Sequence, residues 1–207
     1  MKIVLGTVQF GIDYGISNKL GQPSLEEVKA ILECAQSKGI DVLDTAHSYG
    51  ESEAVLGKSE KASKFKIVTK TKTFDKEQRI TSKSGEQFKE VFFQSLKKLN
   101  VDSVYGLMIH HVEDLLKPGS EQLFETMRSF KDQGLVQKIG VSAYHEREIR
   151  QILKNYSIDI IQVPVSILDQ RLIQNAVLTD LKKLGVEVHT RSAFLQGLIF
   201  MNPKNLS

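Results

Sequence analysis

Short β-branched apolar runs alternate along the chain with longer amphipathic stretches. The first run is Lys2-Ile3-Val4-Leu5-Gly6-Thr7, followed by a loop carrying Gly11, Gly15 and Gly21. After Pro23, Ser24-x-x-Glu27 reads as a capping box, in which each side chain satisfies an exposed backbone donor of the first helical turn. Leu25, Val28, Ile31, Leu32 and Ala35 fall on one face of the helix it opens, and Gly39 closes it as a left-handed cap. The second run, Ile40 to Leu43, leads into DTAHSYGESE. The third, Phe65 to Thr69, precedes a polar loop from Asp75 to Gly85 and a helix from Glu86 to Leu99. Phe88, Phe92, Leu96 and Leu99 of that helix repeat at three to four. Three more runs follow: Val104 to Ile109, Lys138 to Val141 and Asp159 to Val163. A helix is expected from Leu172 to Leu184, ended by Gly185, before the seventh run, Val186 to Thr190.

Strands that read as unbroken apolar runs are buried on both faces, which points to a parallel sheet with helical crossovers. No composition break or low-complexity linker divides the chain, so residues 1–207 are expected to form a single domain. The main rival to a barrel is a doubly wound dinucleotide fold, which wants G-x-G-x-x-G after the first strand. The sequence there is GTVQFG, which does not match. The expectation is therefore an α/β protein: a parallel (β/α) barrel of the triosephosphate isomerase type, truncated after about seven strands.

Composition narrows the function classes. Of the 207 residues, 41% are hydrophobic and 26% charged, with a net charge of +3, as in ordinary globular proteins. The charges are interleaved, so nothing marks a nucleic-acid or membrane surface. No apolar run approaches the ~20 residues of a membrane helix, and the N-terminal run is too short for a signal peptide. The single cysteine, Cys34, lies off the apolar stripe of its helix and allows no intramolecular disulfide. A cytoplasmic location is the expectation.

In such a barrel the active site lies at the C-terminal ends of the strands. Each expected strand end here carries a polar residue: Asp44, Lys70, His110, Ser142, Gln162 and then Arg191-Ser192, with Tyr49 in the loop after Asp44. Asp44, Tyr49 and Lys70 together can make a tunable acid. A free tyrosine titrates near pH ~10, and a neighbouring ammonium stabilises the phenolate. A buried aspartate would hold the lysine charged, and His110 could orient a carbonyl. That set suits reduction of a C=O group by a cofactor hydride. Singly, each residue has a plainer role: Asp44 as a turn cap, Tyr49 as packing, Lys70 as a surface lysine, His110 as a core histidine. His111 points to the other face if the strand continues.

The segments LGTVQFG-x-x-YG, DTAHSYGESEAVLG, IVTK, SLKKLNVD to LMIHH, KIGVSAY and IIQVPVS resemble successive signatures of the aldo-keto reductases, from residue 3 to about 200. The resemblance implies a catalytic tetrad of Asp44, Tyr49, Lys70 and His110. It implies that Ser142 and Gln162 hold a nicotinamide carboxamide, that Thr7 and Asp44 line the cofactor cleft, and that Arg191 and Ser192 adjoin the cofactor. NADPH is the expected cofactor, with NADH as the alternative, and a small carbonyl compound is the expected substrate.

Three departures qualify it. The usual Asn after the strand-five Ser is Ala143. The aromatic residue usual at the end of strand seven aligns with Arg191, and a guanidinium can stack on a planar ring too. The family also runs on past the seventh strand. On that last ground residues 194–207, or a second copy of the chain, are expected to cover the open barrel edge, and the preference for NADPH over NADH is expected to weaken. Three functions therefore compete. The first is an NADPH-dependent reductase of aldehydes or ketones. The second is a catalytically impaired cofactor-binding or interaction subunit on the same fold. The third is a metal-dependent hydrolase using Asp44, His47, His110 and His111, although nothing in the spacing marks a metal site.

Overall fold

A computed structural model describes residues 2–202. Strands and helices alternate in the order β1 (Leu5–Gly6), α1 (Leu25–Ser37), β2 (Val42–Asp44), α2 (Ser52–Lys58), β3 (Lys66–Lys70), α3 (Ser82–Leu99) and β4 (Val104–Ile109). The second half continues α4 (Glu121–Asp132), β5 (Val136–Ser142), α5 (Glu146–Asn155), β6 (Ile160–Pro164), α6 (Arg171–Gln174), α7 (Val177–Lys183) and β7 (Glu187–Arg191). All seven strands are parallel and pair in sequence order, with β1 and β7 at the two edges.

The sheet is strongly curled. Adjacent strands lie about 4.8 Å apart, so in a flat sheet β2 and β6 would be separated by roughly 19 Å. Instead the Gln162 side chain on β6 donates to Asp44 on β2 across 2.8 Å. Curling divides the core in two. Val42, Val68, Met108 and Ile160 pack inside the curl with Val4 and Tyr105. The larger cluster, including Leu43, Ile67, Leu107, Val141 and Ile161, packs between the sheet and the helices. Alternate residues of one strand thus feed different cores, which is why the strands read as continuous apolar runs. Each fully buried Leu or Ile contributes on the order of 1.5–3 kcal/mol.

Local signals set the helix ends. The Ser24–Glu27 capping box forms as expected at the start of α1, and Gly39 takes a left-handed φ of +74° after its end. Val28, Leu32 and Ala35 are buried, whereas Ile31 faces outward because the helix presents only a narrow stripe to the sheet. Helix α3 begins four residues before the expected Glu86. Thr81 caps it reciprocally with Ser84, a hydroxyl pair that serves in place of the acidic partner of a standard capping box. The helix expected over 172–184 is two helices. Ala176 breaks it with a left-handed φ of +59°, and the periodicity survives because Leu172, Val177 and Leu181 are all buried.

The segment after β7 turns back toward the loop that follows β1. The Gln196 carbonyl accepts from both the backbone and the hydroxyl of Ser17, and the Gln196 amide donates to the Tyr14 hydroxyl. Phe194, Ile199 and Phe200 remain exposed. Of the tail expected to cover the open edge, residues 203–207 lie outside the described residues. Among the described residues, no helix is long and apolar enough to cross a membrane.

Candidate active site

Two-residue periodicity builds the site. Val42, Val68, Met108 and Ile160 form the inner layer of the curl. Two residues further along the same strands, the side chains that follow on that face are Asp44, Lys70, His110 and Gln162. Ser142 stands in register with Gln162 on the neighbouring strand. The polar cluster is therefore the layer directly above the inner apolar plug, at the C-terminal ends of the strands.

Lys70 is enclosed, with 1% of its side chain exposed. Its ammonium donates to Asp44 Oδ1 at 2.6 Å, to the Thr45 carbonyl at 3.0 Å and to Tyr49 Oη at 3.4 Å. Three donors thus meet three acceptors. That matters because taking an ammonium out of water costs several kcal/mol unless it is paired and hydrogen-bonded. Asp44 receives a second bond from Gln162.

Tyr49 reaches this cluster because two loops can approach closely. Gly11 lies against the Tyr49 segment, and a Cβ there would fall 1.9 Å from the Tyr49 carbonyl oxygen. Burial pushes the Tyr49 hydroxyl above its ordinary pKa of 10. The Lys70 charge pulls it back down, Asp44 raises it, and the Lys70 hydrogen bond and Arg191 lower it again. The ammonium acts in the expected sense, but burial outweighs it in this structure, and the net direction is upward.

The His110 ring meets that of Tyr49 edge to face. Its Nδ1 pairs with the Ser48 hydroxyl at 3.1 Å. Burial, reinforced by the charges of Lys70 and His111, lowers its pKa to about 4. His110 is thus a neutral imidazole near pH 7, able to offer one N–H donor.

Thr7, expected along the cofactor cleft, is wholly enclosed. Its hydroxyl is spent on the Asp44 carbonyl and on Ser52, so it ties the end of β2 to α2 rather than facing the cleft. Ala143 is also fully buried and packs in the cluster between sheet and helices, away from the cleft. Ser192 is exposed, with φ +60°. Arg191 does not point into open solvent: its guanidinium carbon lies 3.8 Å from the centroid of the Tyr144 ring.

The donors of the metal-site alternative are not gathered. His111 pairs with Asp75 at 2.8 Å, His110 pairs with Ser48, and His47 is half-buried with Nδ1 unpartnered. Among the described residues no group of three or more His, Cys, Asp or Glu is placed to hold a metal. Cys34 is exposed.

Sequence reasoning missed Ser48, Tyr144 and a polar network lower in the curl. In that network Glu187 accepts from Tyr105 at 2.7 Å and pairs with Lys138 and His189. Burial pushes the Glu187 carboxyl up, but these hydrogen bonds outweigh it and hold the group at about 2. A signal was available: Glu187, His189 and Arg191 alternate along the last strand and so share one face.

The residues fit a nicotinamide group. Ser142 makes no side-chain hydrogen bond among the described residues, and Gln162 uses only its amide nitrogen. A hydroxyl and a free carbonyl oxygen therefore stand in register on adjacent strands, one able to donate and one to accept, as a carboxamide requires.

Comparison with known proteins agrees with this architecture. An NADH-specific methylglyoxal reductase of Escherichia coli is 28% identical over 190 residues, covering 83% of this chain and 57% of the relative. This chain thus spans less than two thirds of that protein's length. Among solved structures, an aldo-keto reductase from Bacillus halodurans in its holo form superposes with a TM-score of 0.75 at 23% identity, covering 98% of this chain and 65% of that one. A Bombyx mori aldo-keto reductase in complex with NADP gives a TM-score of 0.68 at 22% identity, covering 92% and 62%. The model of the aldo/keto reductase family matches residues 2–205, so the chain belongs to the aldo/keto reductase family.

Proposed function

We propose that the protein reduces an aldehyde or ketone to the alcohol, with Tyr49 as the proton donor and a reduced nicotinamide cofactor, NADPH or NADH, as the partner. The observation that carries this reading is the Asp44–Lys70–Tyr49 chain: a buried ammonium bonded at once to a carboxylate and to a phenol. When bound, the cofactor supplies the hydride that reaches the carbonyl carbon.

The chain's own residues do the rest. Ser142 and Gln162 hold the carboxamide, and Gln162 also keeps Asp44 turned toward Lys70. Thr7 braces the strand that carries Asp44. The neutral His110, fixed by Ser48, donates to the substrate oxygen and orients the carbonyl toward Tyr49. Tyr49 gives its proton to that oxygen as negative charge develops on it. The departing proton leaves a phenolate next to the Lys70 ammonium, which stabilises that charge in a site of low dielectric. Solvent then returns a proton to Tyr49.

The test is cofactor oxidation followed at 340 nm with methylglyoxal and simple aldehydes, using NADPH and NADH in parallel. Substrate-dependent oxidation that disappears in Tyr49→Phe supports the reading. Tight cofactor binding without turnover of any carbonyl would instead favour a cofactor-binding subunit.

A further inference from the structure

The loop after β3 and the segment after β4 flank His110, and side chains staple them together. At the buried end of the staple both backbone groups of Phe74 are held. Asp114 accepts from the Phe74 nitrogen at 3.0 Å, and the Lys117 ammonium donates to the Phe74 carbonyl at 2.7 Å and to Asp114 at 2.6 Å. Phe74 and Asp114 are both buried. At the exposed end Asp75 Oδ1 pairs with His111 Nδ1 at 2.8 Å, and Asp75 Oδ2 accepts from the Thr73 hydroxyl at 2.8 Å. An exposed ion pair contributes little when two free side chains must be ordered to make it. Here Phe74 fixes the backbone next to Asp75, and His111 directly follows the buried end of β4, so part of that ordering is already done by the fold.

The staple bears on the chemistry through two adjacent imidazoles. The rings of His110 and His111 meet edge to face, with centroids 5.3 Å apart and planes at 73°. Tyr49 makes a second edge contact with the His110 ring, and Ser48 takes its Nδ1. Three neighbours thus bound one imidazole, and His111 is the neighbour that can carry a positive charge. That charge lowers the proton affinity of His110. In return, the hydrogen bond from His111 holds the Asp75 carboxyl below the usual carboxylate range. The other charges that bear on these groups are Lys117, already bonded to Asp114, and, at His110, Lys70, Asp44 and Arg191.

We propose that Asp75 and His111 are a positioning pair for His110: the carboxylate holds His111 as an imidazolium edge-on to the His110 ring, and that charge makes the His110 N–H a stronger donor to the substrate oxygen. The inference rests on the reductase reading above for the identity of that oxygen. The pair acts through His110 and needs no contact with substrate. A cation behind a neutral donor favours the negative charge that develops on the oxygen in front of it. When His111 loses its proton the help is lost, so reduction weakens as pH rises through the histidine range. This step is separable from the loss of the Tyr49 proton, because burial holds that hydroxyl above its ordinary value of 10.

The test combines kcat/KM for methylglyoxal between about pH 5 and 8 with titration of the histidine imidazoles by two-dimensional NMR, which needs no turnover. In the unaltered protein kcat/KM is expected to fall about two- to fivefold as pH rises through this range, the scale of one partly exposed charge interaction. His111→Gln keeps a polar side chain and removes the charge. It is expected to abolish the step, to leave the rate at its high-pH level, and to move the His110 titration upward from about 4. Asp75→Asn keeps the shape but no longer favours the imidazolium, so the step is expected to move to lower pH. Equal loss of rate at every pH in both variants, with the step unmoved, would mark the pair as structural and overturn the proposal. A His110 titration that stays put in His111→Gln overturns it too, whether or not a carbonyl is reduced. With no turnover of any carbonyl the reductase reading falls, while an upward shift of His110 in His111→Gln together with a downward shift of His111 in Asp75→Asn still supports the pair.

Discussion

The rings of Tyr49 and His110 meet edge to face, with centroids 5.8 Å apart and planes at 82°. The phenol thus sits between a buried ammonium on one side and a neutral imidazole on the other. Tyr49→Phe keeps the ring contact and removes only the proton. It is expected to reduce carbonyl turnover at least ~100-fold, the usual scale for a general acid, while cofactor affinity changes little. Stopped-flow cofactor oxidation and fluorescence titration check both halves. Near-normal turnover in the variant would remove Tyr49 from the mechanism.

Among the described residues, Lys70→Met removes the only cation bonded to Tyr49. Burial and the Asp44 charge, which both raise the tyrosine pKa, are then opposed only by the weaker pull of Arg191. The apparent pKa for reduction is expected to move upward and the plateau rate to fall. The variant also strands the Asp44 carboxylate, which typically costs about 3–5 kcal/mol. Asp44→Asn combined with Lys70→Met should therefore recover stability relative to Lys70→Met without recovering activity. Urea melts alongside pH–rate profiles separate the two effects.

His110 titrates at about 4 in the fold against 6.5 as a free side chain. Above pH 6.5 both states are neutral and the group is silent. As pH falls below 6.5 the unfolded chain takes up a proton that the folded chain refuses, so stability declines until about pH 4 and then levels. The separation corresponds to about 3 kcal/mol at most. His110→Asn should flatten the fall in urea-melt stability between pH 6.5 and 4.5. An unchanged slope would show that His110 is not buried neutral.

Gly11→Ala places a Cβ 1.9 Å from the Tyr49 carbonyl oxygen and 2.2 Å from the Ser52 nitrogen. Both are backbone atoms, so the loops must separate. A loss above about 3 kcal/mol is expected, as for other severe steric insertions, together with displacement of Tyr49. Gly134→Ala is the control. Its φ is +75° but its Cβ would meet nothing within 4 Å, so only the left-handed penalty of about 1–2 kcal/mol applies. Thermal melts of the two variants give the comparison.

Ser48→Ala frees Nδ1 of His110. The ring can then change tautomer or rotate, and a several-fold loss in kcat/KM is expected with the fold intact. Ser48→Thr should rescue part of it, since the hydroxyl is kept. Equal loss in both variants would point to packing rather than to the hydrogen bond.

The strands were legible because most are apolar runs bounded by polar residues, and Asp44, Lys70, His110, Ser142 and Gln162 were legible because each lies at or near the end of such a run. Boundaries were less so. A hydroxyl pair at Thr81 and Ser84 starts α3 without the acidic residue that marks a capping box. Ala176 adopts a conformation that alanine seldom takes, so the break between α6 and α7 had no local signal. Ser48 looked like any loop serine, and its contact with His110 joins residues 62 positions apart.

By itself the sequence determined that most strands are apolar on both faces and which polar side chains follow them on one face, because alternation along a strand follows from backbone geometry alone. Only the tertiary structure decided what those side chains do to one another. Curling the sheet brings β6 to β2, so that Gln162 reaches Asp44. It encloses Thr7, whose hydroxyl is spent on Asp44 and Ser52, and it seats Arg191 on Tyr144. It also sets the balance on Tyr49, where burial outweighs the lysine. Desolvation and charge pairing depend on distances in space between residues far apart in the chain, and residue order carries no record of those distances.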